Sequence, residues 1–141
     1  MNRRQVLGIS LTMALALPTM AQNKIARVKI IELERLKLEW NDAEFQFSGE
    51  ACVLIRIPEP TKPNPHSLEV QNTFLLAYSR VCTHLGCLAQ LPNGLHQLEC
   101  GCHGSIFRAA DGDVLSGPAS TPLRAVRLEL EDGFVYAAAW A

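Results

Sequence analysis

Cys82-Thr83-His84-Leu85-Gly86-Cys87 and Cys100-Gly101-Cys102-His103-Gly104-Ser105 hold four of the five cysteines of this chain and two of its four histidines. Each segment supplies a thiol and an imidazole at ligand spacing: Cys-x-His, 15 intervening residues, then Cys-x-x-His, with one further cysteine in each box. Two thiolates and two imidazoles suit either a tetrahedral zinc or a 2Fe-2S cluster in which two histidines replace two cysteines on one iron. Structural zinc modules typically space their paired ligands as Cys-x(about 2–4)-Cys and His-x(about 3–5)-His, and Cys-x-His is tighter than that. A thiol–disulfide oxidoreductase would use Cys-x-x-Cys, which Cys100-x-Cys102 does not match.

Outward from the boxes the pattern is that of strands. Apolar residues alternate with polar ones at Phe45 and Phe47, at Val53, Ile55 and Ile57, and at Val126, Leu128 and Leu130, as in half-buried strands. Phe74 to Val81 is a more continuous apolar run, expected of a strand covered on both faces. Glu131-Asp132-Gly133 reads as a hairpin turn into a last strand, Phe134 to Ala139. Ile31 to Trp40 is ambiguous between a helix face and two short strands with a bulge at Glu34-Arg35. Residues 58–65 carry four of the eight prolines and should form an extended surface loop, a stiff connector between strands or, alternatively, a recognition segment. Pro92-Asn93-Gly94 and Asp111-Gly112-Asp113 are turn signals within the cysteine-bearing segment. Cys52, the odd cysteine, sits in an apolar strand and reads as a buried free thiol, while His66 and His96 read as solvent-facing. No internal repeat is evident.

A chain of 141 residues is enough for one domain with a real core and too short for a large composite enzyme. Hydrophobic residues make up 48% and charged residues 19%, which fits a globular fold. Thirteen Lys and Arg stand against 14 Asp and Glu, and no basic stripe recommends nucleic acid as a partner.

The N-terminus reads as an address. Arg3-Arg4 precedes an apolar run of 12 residues, Val6 to Leu17, closed by Pro18 and small residues to Ala21. This resembles a twin-arginine export signal, and the run is shorter than the roughly 20 apolar residues of a membrane-spanning helix. Export of an already folded chain would suit a cofactor inserted in the cytoplasm. It would also suit a disulfide closed in an oxidising compartment.

The two boxes resemble the signature loops of Rieske iron-sulfur proteins, in the subtype found in cytochrome bc complexes. Phe74 to Arg80 resembles the strand that feeds the first box, and Gly117-Pro118-Ala119 the family's third, proline-containing loop that shields the cluster. The likeness is strong over residues 74–123 and rests only on plausible strands over 25–73. It implies an all-β fold, an antiparallel β-sandwich base with a small inserted cluster-binding subdomain. With residues 1–21 as the export signal, the domain spans 22–141, its base 22–80 and 123–141 and its cluster-binding subdomain 81–122.

By this resemblance Cys82 and Cys100 ligate one iron of a 2Fe-2S cluster, His84 and His103 ligate the other, and Cys87 and Cys102 form a disulfide tying the loops together. Leu85, Gly86, Ser105, Phe107, Gly117 and Pro118 surround the cluster. Two ferric ions, two sulfides and two thiolates sum to zero charge, so reduction adds an electron to a neutral centre rather than to a dianion. That favours the Rieske potential range of about −150 to +300 mV. Three departures bear on tuning. Phe107 stands where high-potential members have a tyrosine donating to a ligand cysteine, Gly101 replaces the usual proline of the second box, and Ser120 replaces the proline after Gly-Pro-Ala. Ser105 keeps the hydroxyl that in the family donates to a bridging sulfide. The missing tyrosine implies a potential below that of high-potential relatives.

The implied function is one-electron transfer with no catalytic site of the chain's own, in partnership with a redox protein or a larger oxidoreductase subunit. The main expectation is an exported, periplasmic carrier, or the small subunit of a periplasmic oxidoreductase such as an arsenite-oxidase-like enzyme. The alternative is the Rieske subunit of a membrane quinol:cytochrome c complex of the bc type. Quinol or cytochrome c linkage follows from that alternative, and membrane association requires that the N-terminal segment be retained. A zinc-binding structural module is the remote third reading.

Overall fold

The computed structural model describes residues 26–141; the twin-arginine segment, residues 1–21, lies outside the described residues. Ten strands form three antiparallel sheets: β1 (Val28–Glu32), β2 (Asp42–Phe47), β3 (Glu50–Ile57), β4 (Leu68–Val70), β5 (Thr73–Ser79), β6 (Gln97–Glu99), β7 (Ile106–Arg108), β8 (Val114–Ser116), β9 (Val126–Glu131) and β10 (Phe134–Trp140). A three-stranded sheet, β1-β10-β9, packs on a four-stranded sheet, β2-β3-β5-β4, and a small third sheet runs β6-β7-β8. The fold is an all-β sandwich of the kind the resemblance implies.

The period of two along a strand sorts its residues to two faces, and the sorting explains the layers. From β2, β3 and β5, the side chains of Phe45, Phe47, Cys52, Leu54, Leu75 and Ala77 point into one apolar core, where Val126, Leu128, Val135 and Ala137 of β9 and β10 meet them. The opposite faces of β3 and β5 present Val53, Ile55, Ile57, Leu76 and Tyr78 to a second core, completed by Leu98, Phe107, Ala109, Ala119 and Leu123. Each fully buried leucine contributes roughly 1.5–3 kcal/mol. Because the second core joins the base sheet to the cysteine-bearing segment, that segment shares its interior with the sandwich.

This layering corrects the reading of β3 as half-buried. Residues Cys52 to Ile55 are all fully buried, because β3 is a central strand covered on both sides. The continuous run over β5 is covered on both faces as expected. The final hairpin also forms as expected, with Asp132 and Gly133 both at positive φ, the backbone a two-residue hairpin turn needs. Ser48-Gly49 and Gln71-Asn72 make the same kind of turn in the β2-β3 and β4-β5 hairpins.

Ile31 to Trp40 follows neither of the two expected forms. Ile31 and Glu32 finish β1, Leu33–Arg35 form a single 3-10 turn, and the chain then crosses to β2 as a loop that buries Leu36. Arg56 holds that loop in place, one guanidinium nitrogen donating to the carbonyls of Leu36 and Lys37 at 2.8 and 2.7 Å. His96 also departs from its reading. Its ring stacks on Trp40 with centroids 3.8 Å apart and planes at 10°, and both residues adopt positive φ. His66 is exposed and Cys52 is a buried free thiol, both as expected.

Candidate metal centre

The two boxes are built alike. In the first, the Cys82 N–H donates to the Cys87 carbonyl at 2.7 Å and the Gly86 N–H to the Cys82 carbonyl at 2.9 Å. In the second, the Cys100 N–H donates to the Ser105 carbonyl at 2.8 Å and the Gly104 N–H to the Cys100 carbonyl at 3.0 Å. Gly86 and Gly104 both turn the chain at positive φ, +82° and +79°, a conformation glycine adopts without steric cost. The shared pattern is Cys-x-x-x-Gly, at Cys82–Gly86 and again at Cys100–Gly104.

Each box is the tip of a tight stem. Ala89 donates to the Arg80 carbonyl at 2.7 Å and Val81 pairs with Leu88, so the first box leaves β5 and returns beside it. The second box follows β6 directly and leads into β7, which pairs with β6. The Cys87–Cys102 disulfide joins the two tips. Its two sulfurs and the Cys100 sulfur lie within 4.8 Å of one another, which sets the bridge against Cys100 rather than making it a ligand set, since bonded sulfurs are not thiolates.

Of the four expected ligands, the structure pairs the two cysteines and the two histidines. Cys82 and Cys100 are 2% and 3% exposed. Burial pushes the Cys100 thiol up, the backbone N–H groups of Cys102 and His103 pull it back, and the neighbouring Cys82 sulfur raises it again. The rings of His84 and His103 meet edge to face with centroids 4.9 Å apart. Nδ1 of His84 is buried with no hydrogen-bond partner, an arrangement that costs roughly 1–3 kcal/mol unless something binds the nitrogen. Buried sulfurs at one end and an orphaned imidazole nitrogen at the other fit a metal cluster with mixed ligands.

The surrounding residues divide into a rim and a floor. Leu85, Gly86, His103, Gly117 and Pro118 are exposed, Leu85 at 69%. Ser105 and Phe107 lie beneath, 1% and 0% exposed. The third loop fastens to both boxes: the Ala119 N–H donates to Ser105 Oγ at 3.0 Å, and the Thr83 hydroxyl donates to the Thr121 carbonyl at 2.7 Å. Below the floor, Tyr78 packs its ring under Gly112 while its hydroxyl is buried without a partner. Burial, with Asp111 and Asp113 nearby, pushes that phenol far above its usual range.

This fold, with a buried cysteine pair beside a histidine pair, is that of a Rieske iron-sulfur protein. The family model described as the Rieske [2Fe-2S] domain matches residues 26–127, and the chain belongs to that family, whose domain binds a 2Fe-2S cluster. Family membership thereby chooses between the zinc and iron-sulfur readings of the donor set. The cytochrome b6-f complex iron-sulfur subunit of Gloeobacter violaceus is 47% identical over 60 residues, covering 43% of this chain and 32% of that protein. The cytochrome bc1 complex Rieske iron-sulfur subunit of Streptomyces lividans is 35% identical over 99 residues, covering 67% of this chain and 58% of that protein. The match spans less than two thirds of either relative's length. Among solved structures, the soluble domain of the Rieske protein II (soxF) from Sulfolobus acidocaldarius superposes with a TM-score of 0.62 at 26% identity, covering 81% of this chain and 77% of that one.

Proposed function

We propose that this chain is the one-electron-carrying Rieske subunit of a quinol-oxidising complex of the bc1 or b6-f type. The similarity to the Streptomyces lividans bc1 subunit over two thirds of the chain carries this reading, and it favours the bc-type context over the soluble periplasmic carrier that the N-terminal segment suggests. In this reading Cys82 and Cys100 hold one iron, His84 and His103 the other, and the bound cluster supplies a one-electron redox centre of raised potential.

The chain's own residues set the route of transfer. The sulfur end is sealed in the core, and the imidazole end opens on a surface where His103 and Leu85 are exposed. An electron therefore has its short route through the histidine edges, where an apolar rim lets a partner approach closely and exclude water. The disulfide and the Thr83 and Ser105 contacts hold the three loops in register, so that little reorganises when the charge changes. Among the described residues no helix is long and apolar enough to cross a membrane.

Iron and acid-labile sulfide analysis with low-temperature EPR of the reduced protein tests the cofactor assignment: two irons and two sulfides per chain with a Rieske-type signal are expected. Cys82→Ser and His84→Ala should abolish that signal. For the context, the full chain expressed in its own host should co-purify with a cytochrome b from detergent-solubilised membranes. Recovery from the soluble exported fraction, with a mature N-terminus near residue 22, would favour the free carrier.

A further inference from the structure

Arg80 leaves β5 two residues before Cys82 and is 8% exposed. Its Nε donates to the Ala89 carbonyl at 2.9 Å, closing the stem of the first box, and one of its Nη atoms donates to Glu44 Oε2 on β2 at 2.7 Å. Its backbone N–H donates to the Ala51 carbonyl on β3 at 2.8 Å. The first box is thus bolted to the base sheet through one cationic residue.

The two ends of the Arg80–Glu44 pair sit in different media. The Arg80 side chain is 10% exposed and the Glu44 side chain 59% exposed. Water screens the carboxylate, while the guanidinium charge acts through an interior of low effective dielectric constant, where Coulomb interactions are several times stronger. An ion pair with one wet end and one dry end does not cancel when viewed from the dry side. Cys82 follows two residues along the chain, and the Ala89 carbonyl that Nε bonds lies two residues after Cys87 of the same box.

We propose that Arg80 is an electrostatic tuning residue. Its buried positive charge stabilises the reduced, more negative state of the cluster and raises the reduction potential, with Glu44 as a screened counter-charge that sets how much. This rests on the reading that Cys82, His84, Cys100 and His103 hold a 2Fe-2S cluster. It supplies a positive influence that offsets part of what the phenylalanine at position 107 forgoes.

The test is an EPR-monitored redox titration of the holoprotein carrying Arg80→Gln, Arg80→Lys or Glu44→Gln. Removing either partner breaks the same ion pair, so a merely structural role would move both potentials in the same direction. The tuning role moves them apart: R80Q lowers the potential, E44Q raises it, and R80K stays near the wild type. Each shift should change the equilibrium with a fixed one-electron partner severalfold, where tenfold corresponds to about 59 mV. Shifts of the same sign, or an unmoved potential in E44Q, overturn the proposal. If R80Q does not fold, E44Q alone decides by its sign, since Glu44 lies at the exposed edge. Iron and sulfide content of the wild type separates the two readings: absence of the cluster overturns the proposed function itself, whereas a wild-type cluster with same-sign shifts overturns only the role of Arg80.

Discussion

Gly117 lies flat against Ser105: a Cβ on Gly117 would stand 2.5 Å from the Ser105 Cα, and 2.6 Å from the Gly104 carbonyl oxygen. The third loop reaches the second box only because this residue has no side chain, and its φ of +88° makes the same demand.

Gly117→Ala should therefore lift the loop off the box. Strain at a positive φ costs about 1–3 kcal/mol, and the backbone clash adds to it. We expect a fall of several degrees in the thermal midpoint and faster bleaching by an iron chelator, measured by visible absorption. An unchanged midpoint would mean that the loop can retreat without loss.

Ser105→Ala removes the acceptor for the buried Ala119 N–H and should cost about 1–3 kcal/mol in urea unfolding. The Oγ accepts from Ala119, so its own proton remains available to donate toward the cluster. The variant should also have a lower reduction potential by voltammetry, and a loss of stability without a potential change would confine Ser105 to tethering the loop.

Phe107 is fully buried in the same core as Cys82 and Cys100. Phe107→Tyr should raise the potential by restoring a donor. A bond that favours the reduced state by about 1.4 kcal/mol moves a one-electron potential by about 59 mV. An unmoved potential would show that the hydroxyl does not reach a ligand sulfur.

The bridge between Cys87 and Cys102 closes a loop of sequence separation 15, and loops of that size gain roughly 3 kcal/mol from cross-linking. The double variant Cys87→Ala, Cys102→Ala should lose stability of that order. Cluster release should accelerate more than global unfolding does, because the bridge ties the two box tips rather than the sandwich. Parallel decay of colour and of far-ultraviolet dichroism would contradict this.

Burial, with Glu50 nearby, pushes the Cys52 thiol up to about 11 from an ordinary 9.0. Between those values the unfolded chain releases the proton and the folded chain keeps it, so this residue's contribution to stability is present below pH 9 and is lost as pH rises toward 11. Cys52→Ala should flatten that part of the alkaline stability profile, leaving the loss above pH 10 that Tyr78 causes. Iodoacetamide at neutral pH should leave Cys52 unmodified until the protein unfolds.

The site was legible where its chemistry is local. Ligand spacing, the extra cysteine in each box and the Gly-Pro-Ala loop are all carried within a few residues, and the Asp132-Gly133 turn is written in two. Gly104 repeats the role of Gly86, but a five-residue repeat is too short to stand out among turns. The Arg80–Glu44 pair could not be read, since its partners are 36 positions apart and nothing local marks an arginine as buried.

By itself the sequence determined the two Cys/His boxes, the turns and the alternating faces of the outer strands, all of which follow from local spacing and backbone stereochemistry. Only the tertiary structure decided that β3 is buried on both sides, that His96 stacks on Trp40, and that Gly117 must lie bare against Ser105. The physical reason is that a period of two tells which residues share a face but not what covers it; that depends on which sheets meet, and those contacts join segments far apart in the chain.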